Sequence, residues 1–229
     1  MLCIGHRGAM GHEPENTLLS VRKAIALGVD AIEIDVYNLE NNLVVIHDRD
    51  LSRTTNGKGY LDLNSFAYVR SLDAGKGERV PILKEVFDTV NRHALINIEL
   101  KGSNTAELTI NLIRAYVDKG WSYTDFVVSS FNHYELNIVK QICPEITTGM
   151  LIYGLPWDYL NSALSLQADI VIPSLDYVDF TLVESVQQQN LQVWVYTVNH
   201  PDDIKLMRGL GVDGIFTNYP ERVLFNTSQ

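Results

Sequence analysis

Cysteine is scarce in this chain. Of 229 residues only Cys3 and Cys143 carry a thiol, a count and spacing that give no disulfide framework and no cysteine-based metal site. Cys3 lies in an apolar run and reads as core. Long hydrophobic runs are absent too. None approaches the ~18 residues of a membrane-spanning helix, so no stable membrane insertion is expected. The polar cluster that begins at His6 leaves no room for a secretory leader, which makes the cytoplasm the expected compartment. Basic residues are in the minority, 18 Lys and Arg against 28 Asp and Glu, for a net charge of −10. That balance argues against a nucleic-acid partner held by phosphate neutralisation, and an anionic ligand would need a local cationic site. A Gly-x-Gly-x-x-Gly turn after the first strand is also missing, which speaks against a dinucleotide-binding sheet. What is present is a composition of 46% hydrophobic and 20% charged residues. It is that of a globular protein with a full core, at a length that fits one domain over residues 1–229. Nothing in it bears on oligomeric state.

The most informative stretch runs from Ala31 to Asp48. Ile32, Ile34 and Val36 alternate with Glu33 and Asp35, the period of a strand. Taken alone it reads as a half-exposed strand with a charged face. If the strand is covered on both sides, two carboxylates on an interior face repel each other and lose hydration, and a cation between them is the simplest remedy. The next apolar run, Leu43-Val44-Val45-Ile46, follows after too few residues for a parallel crossover. The two runs therefore form a hairpin with its turn near Asn41 and Asn42, which returns His47 and Asp48 toward the carboxylates.

Around this hairpin the chain alternates strand and helix. A strand at 2–4 is followed by a helix from about Glu15 to Leu27, set up by Pro14 and stopped by Gly28. Residues 49–80 are rich in Gly, Ser, Thr and Asn, with at most a short helix at 64–71. They read as a small insertion, too short to bury a core of its own. A helix after Pro81 leads to the strand 95–101, where Asn97, Glu99 and Lys101 face one side. Strands follow at 126–130, 148–152, 169–172, 192–198 and 214–217. Helices fall near 105–119, 157–167, 179–189 and 202–210, with a last one after Pro220. Another helix follows 126–130, with Asn132 and Glu135 at capping-box spacing. Without the hairpin's return strand there are eight parallel strands, which predicts an α/β fold, the TIM (β/α)8 barrel, with an extra hairpin strand and a small insertion after strand two.

In such a barrel the active site lies at the carboxyl ends of the strands, where the unusual polar residues fall. They are His6 and Arg7, Glu33 and Asp35, His47, Glu99 and Lys101, Ser130 and Phe131, and Thr197 and Asn199. Singly each has a plain structural reading: Glu99 pairing with Lys101, or Arg7 clamping a carboxylate. Their convergence from separate strands is the functional signal. Three carboxylates without a nearby Cys point to a hard divalent cation. Arg7 and Lys101 make a site for a compact anion such as a phosphate. Two histidines can serve as acid and base near neutrality.

In order along the chain these residues resemble the glycerophosphodiester phosphodiesterase family. His6-Arg7-Gly8 with Pro14-Glu15-Asn16-Thr17 resembles its opening motif, and Glu33-Ile34-Asp35-Val36 with Leu43-Val44-Val45-Ile46-His47-Asp48 its second. Leu51-Ser52-Arg53-Thr54-Thr55-Asn56-Gly57, Asn97-Ile98-Glu99-Leu100-Lys101, Tyr196-Thr197-Val198-Asn199 and Asp213-Gly214-Ile215-Phe216-Thr217-Asn218-Tyr219-Pro220 follow. The resemblance implies one cation, Mg²⁺ or Ca²⁺, on Glu33, Asp35 and Glu99. It implies His6 and His47 as the acid–base pair, and Arg7 and Lys101 on the phosphate. The implied reaction is hydrolysis of a small-molecule glycerophosphodiester, such as glycerophosphocholine or glycerophosphoethanolamine, to sn-glycerol 3-phosphate and an alcohol. A cyclic phosphate opened by water would be its intermediate. Lysophospholipids, or a silent barrel that only binds phosphate esters, are the alternatives. Two positions depart from the family's usual pattern: Tyr196, where Trp is common, keeps an aromatic wall for the substrate, and Asn218 stands where Asp is frequent. Both are expected to bear on substrate detail and to leave the histidines and the carboxylates untouched.

Overall fold

The computed structural model describes residues 1–224. Its strands and helices run in the order β1 (Leu2–Gly5), α1 (Leu18–Leu27), β2 (Ala31–Leu39), β3 (Asn42–Val45), α2 (Phe66–Ser71), α3 (Leu83–Val90), β4 (Leu95–Leu100), α4 (Ala106–Val117), β5 (Phe126–Ser130), α5 (His133–Ile142), β6 (Thr147–Ile152), α6 (Tyr159–Ser165), β7 (Ile170–Pro173), α7 (Phe180–Gln187), β8 (Gln192–Val195), α8 (Pro201–Leu210), β9 (Gly214–Thr217) and α9 (Pro220–Leu224). Parallel pairing follows the order β1-β9-β8-β7-β6-β5-β4-β2, and β1 closes the ring against β2. This is the expected TIM barrel. β3 lies outside the ring, antiparallel to β2 from Val36↔Val45 to Leu39↔Asn42, and Glu40 and Asn41 make the turn with positive φ.

Two apolar layers hold the barrel. Alternate residues of each strand point outward against the helices, among them Ile32, Ile34, Ile96, Ile98 and Val128, with Phe87, Ile110 and Val139 on the helix side. The inward set, Ile4, Ala31, Val127, Ile170, Trp194 and Phe216, fills the barrel's lower interior. The insertion packs on the hairpin: Leu51, Leu61, Val69 and Leu72 cluster with Leu39, Val44 and Ile46. Its apolar residues thus share the outer face of the hairpin, as their small number requires.

Three local expectations are corrected. α1 starts at Leu18, not at Glu15: Thr17 is its N-cap, accepting from the Ser20 amide. Residues 6–17 instead form a loop that climbs over the barrel mouth, with Arg7, Gly8 and Asn16 at positive φ. A Cβ on Gly8 would meet the Ser20 backbone at 2.6 Å, so this crossing requires glycine. The strand expected at 192–198 is shorter: β8 ends at Val195, Tyr196 adds a single parallel bridge to Ser174, and Tyr196 and Thr197 line the cavity at the mouth. Glu135 does not close a capping box on α5. Asn132 alone caps that helix, and the buried Glu135 carboxylate accepts from the amides of Asn104, Thr105 and Ala106 at 2.8, 3.0 and 2.8 Å. Burial drives this choice: the first amides of α4 would otherwise be left without partners.

Candidate active site

The barrel's C-terminal mouth holds a cavity of about 430 Å³. Its polar wall carries His6, Arg7, Glu33, His47, Glu99 and Lys101; its apolar wall carries Phe131, Leu151, Tyr153, Tyr196 and Phe216. Ligand oxygens of Glu33, Asp35 and Glu99 all lie within 4.8 Å of one another. The register explains the convergence: Asp35 pairs with Glu99 across β2 and β4, and Glu33 lies one inward step below.

Burial dominates the electrostatics. The Glu33 carboxyl is raised well above the usual range by burial first, then by Asp35 and Glu99. Glu99 is pushed up to about 7 by burial and Asp35, against the pull of Lys101. Glu33 Oε1 and Asp35 Oδ1 are buried without a hydrogen-bond partner. Orphaned carboxylate oxygens in a buried, all-oxygen cluster are what a hard divalent cation satisfies, so the residues present fit such an ion.

The cations flank this cluster. Arg7 donates its backbone amide to Glu33 Oε2 at 2.8 Å and a guanidinium N–H to Glu15 Oε1 at 2.6 Å, with Nε 3.4 Å from Asp35 Oδ2. Lys101 Nζ lies 2.9 Å from Glu99 Oε1 and 3.9 Å from Asp35 Oδ1.

The two histidines have different supports. His6 Nδ1 is 2.7 Å from the Asn218 amide oxygen. That oxygen only accepts, so Nδ1 carries the hydrogen, and Nε2, 4.0 Å from Glu33 Oε2, has a free lone pair. Burial, then Arg7, pushes His6 down to about 4. His47 Nδ1 lies 2.5 Å from Asp48 Oδ1, and its Nε2 is 3.2 Å from Lys101 Nζ. Burial lowers this ring as well, while the nearby carboxylates of Asp35 and Asp48 oppose it. Asp48 is held down at about 2, chiefly by its hydrogen bond from Arg53. Arg53 Nη1 and Nη2 reach Glu15 at 2.8 and 2.9 Å. The insertion is thereby tied through Arg53 to the partners of both His47 and Arg7.

Of the residues expected to bind metal, phosphate or substrate or to act as acid and base, all but Asp35 line this cavity, and Asp35 belongs to the carboxylate cluster; of the other strand-end candidates Phe131 and Thr197 line it, while Ser130 and Asn199 do not. Asn218 departs from expectation: its side-chain oxygen touches His6, one of the two histidines the position was expected to leave untouched. Its backbone N–H donates to Asn199 Oδ1 at 2.8 Å, which gives Asn199 a supporting place behind the cavity. Ser130 turns away to donate to the Leu100 carbonyl; its neighbour Ser129 lines the cavity instead. Tyr196 stands in the wall and donates its hydroxyl to the Ile152 carbonyl at 2.9 Å. Sequence reasoning assigned no role to Glu15, Asp48, Arg53, Asn97 or Tyr153. Only the position of Asp48 beside a histidine and of Glu15 beside Pro14 could have marked the first two.

A barrel whose mouth combines a carboxylate triad, two cations and two histidines defines a hydrolase acting on phosphate esters. A profile of the glycerophosphoryl diester phosphodiesterase family matches residues 6–222. A glycerophosphodiester phosphodiesterase of Caldanaerobacter subterraneus subsp. tengcongensis is 36% identical over 97% of this chain and 96% of its own. One from Bacillus subtilis is 30% identical over 96% of this chain and 84% of its own. Among solved structures, an Oleispira antarctica phosphodiesterase in complex with the product sn-glycerol-3-phosphate superposes with a TM-score of 0.89 at 29% identity, covering 97% of this chain and 94% of that one. The chain belongs to the glycerophosphoryl diester phosphodiesterase family and is an enzyme of that class.

Proposed function

We propose that the chain hydrolyses glycerophosphodiesters such as glycerophosphocholine and glycerophosphoethanolamine to sn-glycerol 3-phosphate and an alcohol, using His6 and His47 as base and acid. The observation that carries this reading is the pair of histidines with unlike partners, one on a neutral amide and one on a carboxylate, beside one triad. Environments that differ in this way separate acid from base. Arg7 and Lys101 hold the non-bridging phosphoryl oxygens. His6, neutral at pH 7, accepts the proton of the glycerol 2-hydroxyl through Nε2 as that oxygen bonds to phosphorus. His47 is the group that protonates the leaving alcohol oxygen as the P–O bond breaks; Asp48 on its Nδ1 offsets part of the burial that lowers the ring, and its Nε2 takes up that proton once substrate draws Lys101 away to the phosphoryl oxygens. Water then opens the cyclic phosphate with the two roles reversed. A divalent cation on Glu33, Asp35 and Glu99, Mg²⁺ or Ca²⁺, would lower the hydroxyl's pKa and offset charge on the phosphoryl group.

The test is release of sn-glycerol 3-phosphate from both substrates with Mg²⁺, with Ca²⁺ and with a chelator. Chelator-sensitive release, and losses of at least ~10²-fold in His6→Ala and in His47→Ala, are expected. Near-normal turnover in both variants would refute the mechanism. A second reading, hydrolysis of lysophospholipids, is favoured by one feature. Tyr153, which lines the cavity, is 78% exposed, and Leu155 and the fully exposed Trp157 follow it on the same loop. An acyl chain leaving the cavity there would find apolar surface. A lysophospholipid panel separates the two readings.

A further inference from the structure

The floor of the cavity holds a polar group that neither the triad nor the phosphate site uses. Asn97 is 1% exposed, yet its amide oxygen and its amide nitrogen both lack a hydrogen-bond partner among the described residues. Ser129 is fully buried, and its hydroxyl lacks one as well. Both line the cavity. Asn97 lies level with Glu33 on the adjacent strand, and Ser129 lies level with Glu99. Burying an amide with neither half satisfied is costly. The barrel meets the same need nearby with apolar side chains: Val127 stands level with Asn97 on the next strand, and Ala31 and Leu95 lie one inward step below. The amide is therefore placed for something that enters the cavity.

On the reading proposed above, Arg7 and Lys101 take the phosphate and the 2-hydroxyl is the reacting group. The terminal hydroxyl is what remains of the substrate's constant half. A hydroxyl both donates and accepts, which matches an amide whose oxygen and N–H are both free. Leu151 and Phe216, elsewhere on the cavity lining, suit the glycerol methylenes. We infer that Asn97, with Ser129 beside it, forms the subsite that reads the terminal hydroxyl of the glycerol unit. The inference rests on the glycerophosphodiester reading. It also separates that reading's substrates from 1-acyl lysophospholipids, in which this oxygen is esterified and has no proton to donate.

The test compares kcat/KM for glycerophosphoethanolamine with that for its analogue built on propane-1,2-diol, in which hydrogen replaces the terminal hydroxyl. The parent should favour the glycerol substrate by roughly 30-fold or more, because a site built to pair a hydroxyl discriminates against its absence. In Asn97→Leu the ratio should fall to within about threefold of unity. Ser129→Ala, which removes one atom and leaves the packing in place, should reduce the ratio several-fold, so the inference does not hang on Asn97→Leu folding. An unchanged ratio in folded Asn97→Leu or in Ser129→Ala, with both substrates losing equally, overturns the subsite and leaves the reaction standing. A parent that releases ethanolamine from neither substrate refutes the functional reading and the subsite together.

Discussion

The carboxylate triad should destabilise the protein whenever no cation is bound, and Glu33→Gln isolates that cost. The Glu33 oxygen that accepts from the Arg7 amide is kept in the variant as an amide oxygen, so the substitution removes charge and little else. With ligand oxygens within 4.8 Å, each like-charged pair repels by about 3.5 kcal/mol at an effective dielectric constant near 20. Glu33 forms such a pair with Asp35 and with Glu99, and its attraction to Arg7 offsets part of the sum. A net gain of about 1–3 kcal/mol in the variant is expected. At roughly 2–4 °C per kcal/mol for a chain of this size, the melting temperature of chelator-treated protein should rise by about 3–10 °C at pH 8. The pH dependence supplies an internal control. Folding raises the Glu33 carboxyl well above the 4.5 of an ordinary glutamate. Above that pH the unfolded chain has released a proton the native chain retains, and parental stability falls as pH rises. The gap between variant and parent should therefore vanish below about pH 4.5 and open above it. Saturating Mg²⁺ or Ca²⁺ should raise the parent's melting temperature and leave the variant's nearly unmoved, since binding to the native state stabilises it by mass action. A metal-free Glu33→Gln protein that melts at or below the parent at pH 8 would refute the reasoning.

Three further substitutions test the supports around the site. Asn218→Asp places a carboxylate on His6 Nδ1, favours the imidazolium and should move the acidic limb of the kcat/KM profile to higher pH; an unmoved limb would show that the contact does not govern His6. Arg53→Met severs the ties to Asp48 and Glu15. With Arg53 nearly half exposed, melting should change little, while kcat/KM should fall by roughly tenfold or more as His47 loses its fixed orientation; equal activity would dismiss the insertion as a positioning element. Glu135→Ala strips three amides at the start of α4 of their acceptor and should cost about 3–5 kcal/mol in urea unfolding, with Glu135→Gln in between.

Regular elements were legible because the determinants of each are local. The alternation of Glu33 and Asp35 with isoleucines, and of Asn97 and Glu99 with their own, identified inward-facing carboxylates on two strands. The short gap before Leu43 forced a hairpin. What stayed hidden depends on contacts between distant residues. Helix α1 begins three residues late because Arg7, Gly8 and Asn16 are held by β2 and Ser20, 13 to 26 residues away. Glu135 has the spacing of a local cap, but burial directs it to amides some 30 residues back. Arg53 looks like a surface arginine in a polar loop until the hairpin folds the loop beside Glu15 and Asp48. Asn97 was visible as a polar residue on an inward face, and only the barrel's closure shows that nothing among the described residues satisfies it.

The contact between His6 and Asn218 spans 212 positions, and β1 is clamped between β2 and β9. During synthesis on the ribosome, the first strand must wait for the last before the ring can close. A nascent chain with its triad, Arg7, His47 and Lys101 already made still lacks the residue that holds the His6 ring. Activity should therefore appear abruptly once β9 and Asn218 have emerged from the exit tunnel. The barrel's seam acts as a check on completeness, by which fragments ending short of that point occupy no partly active state.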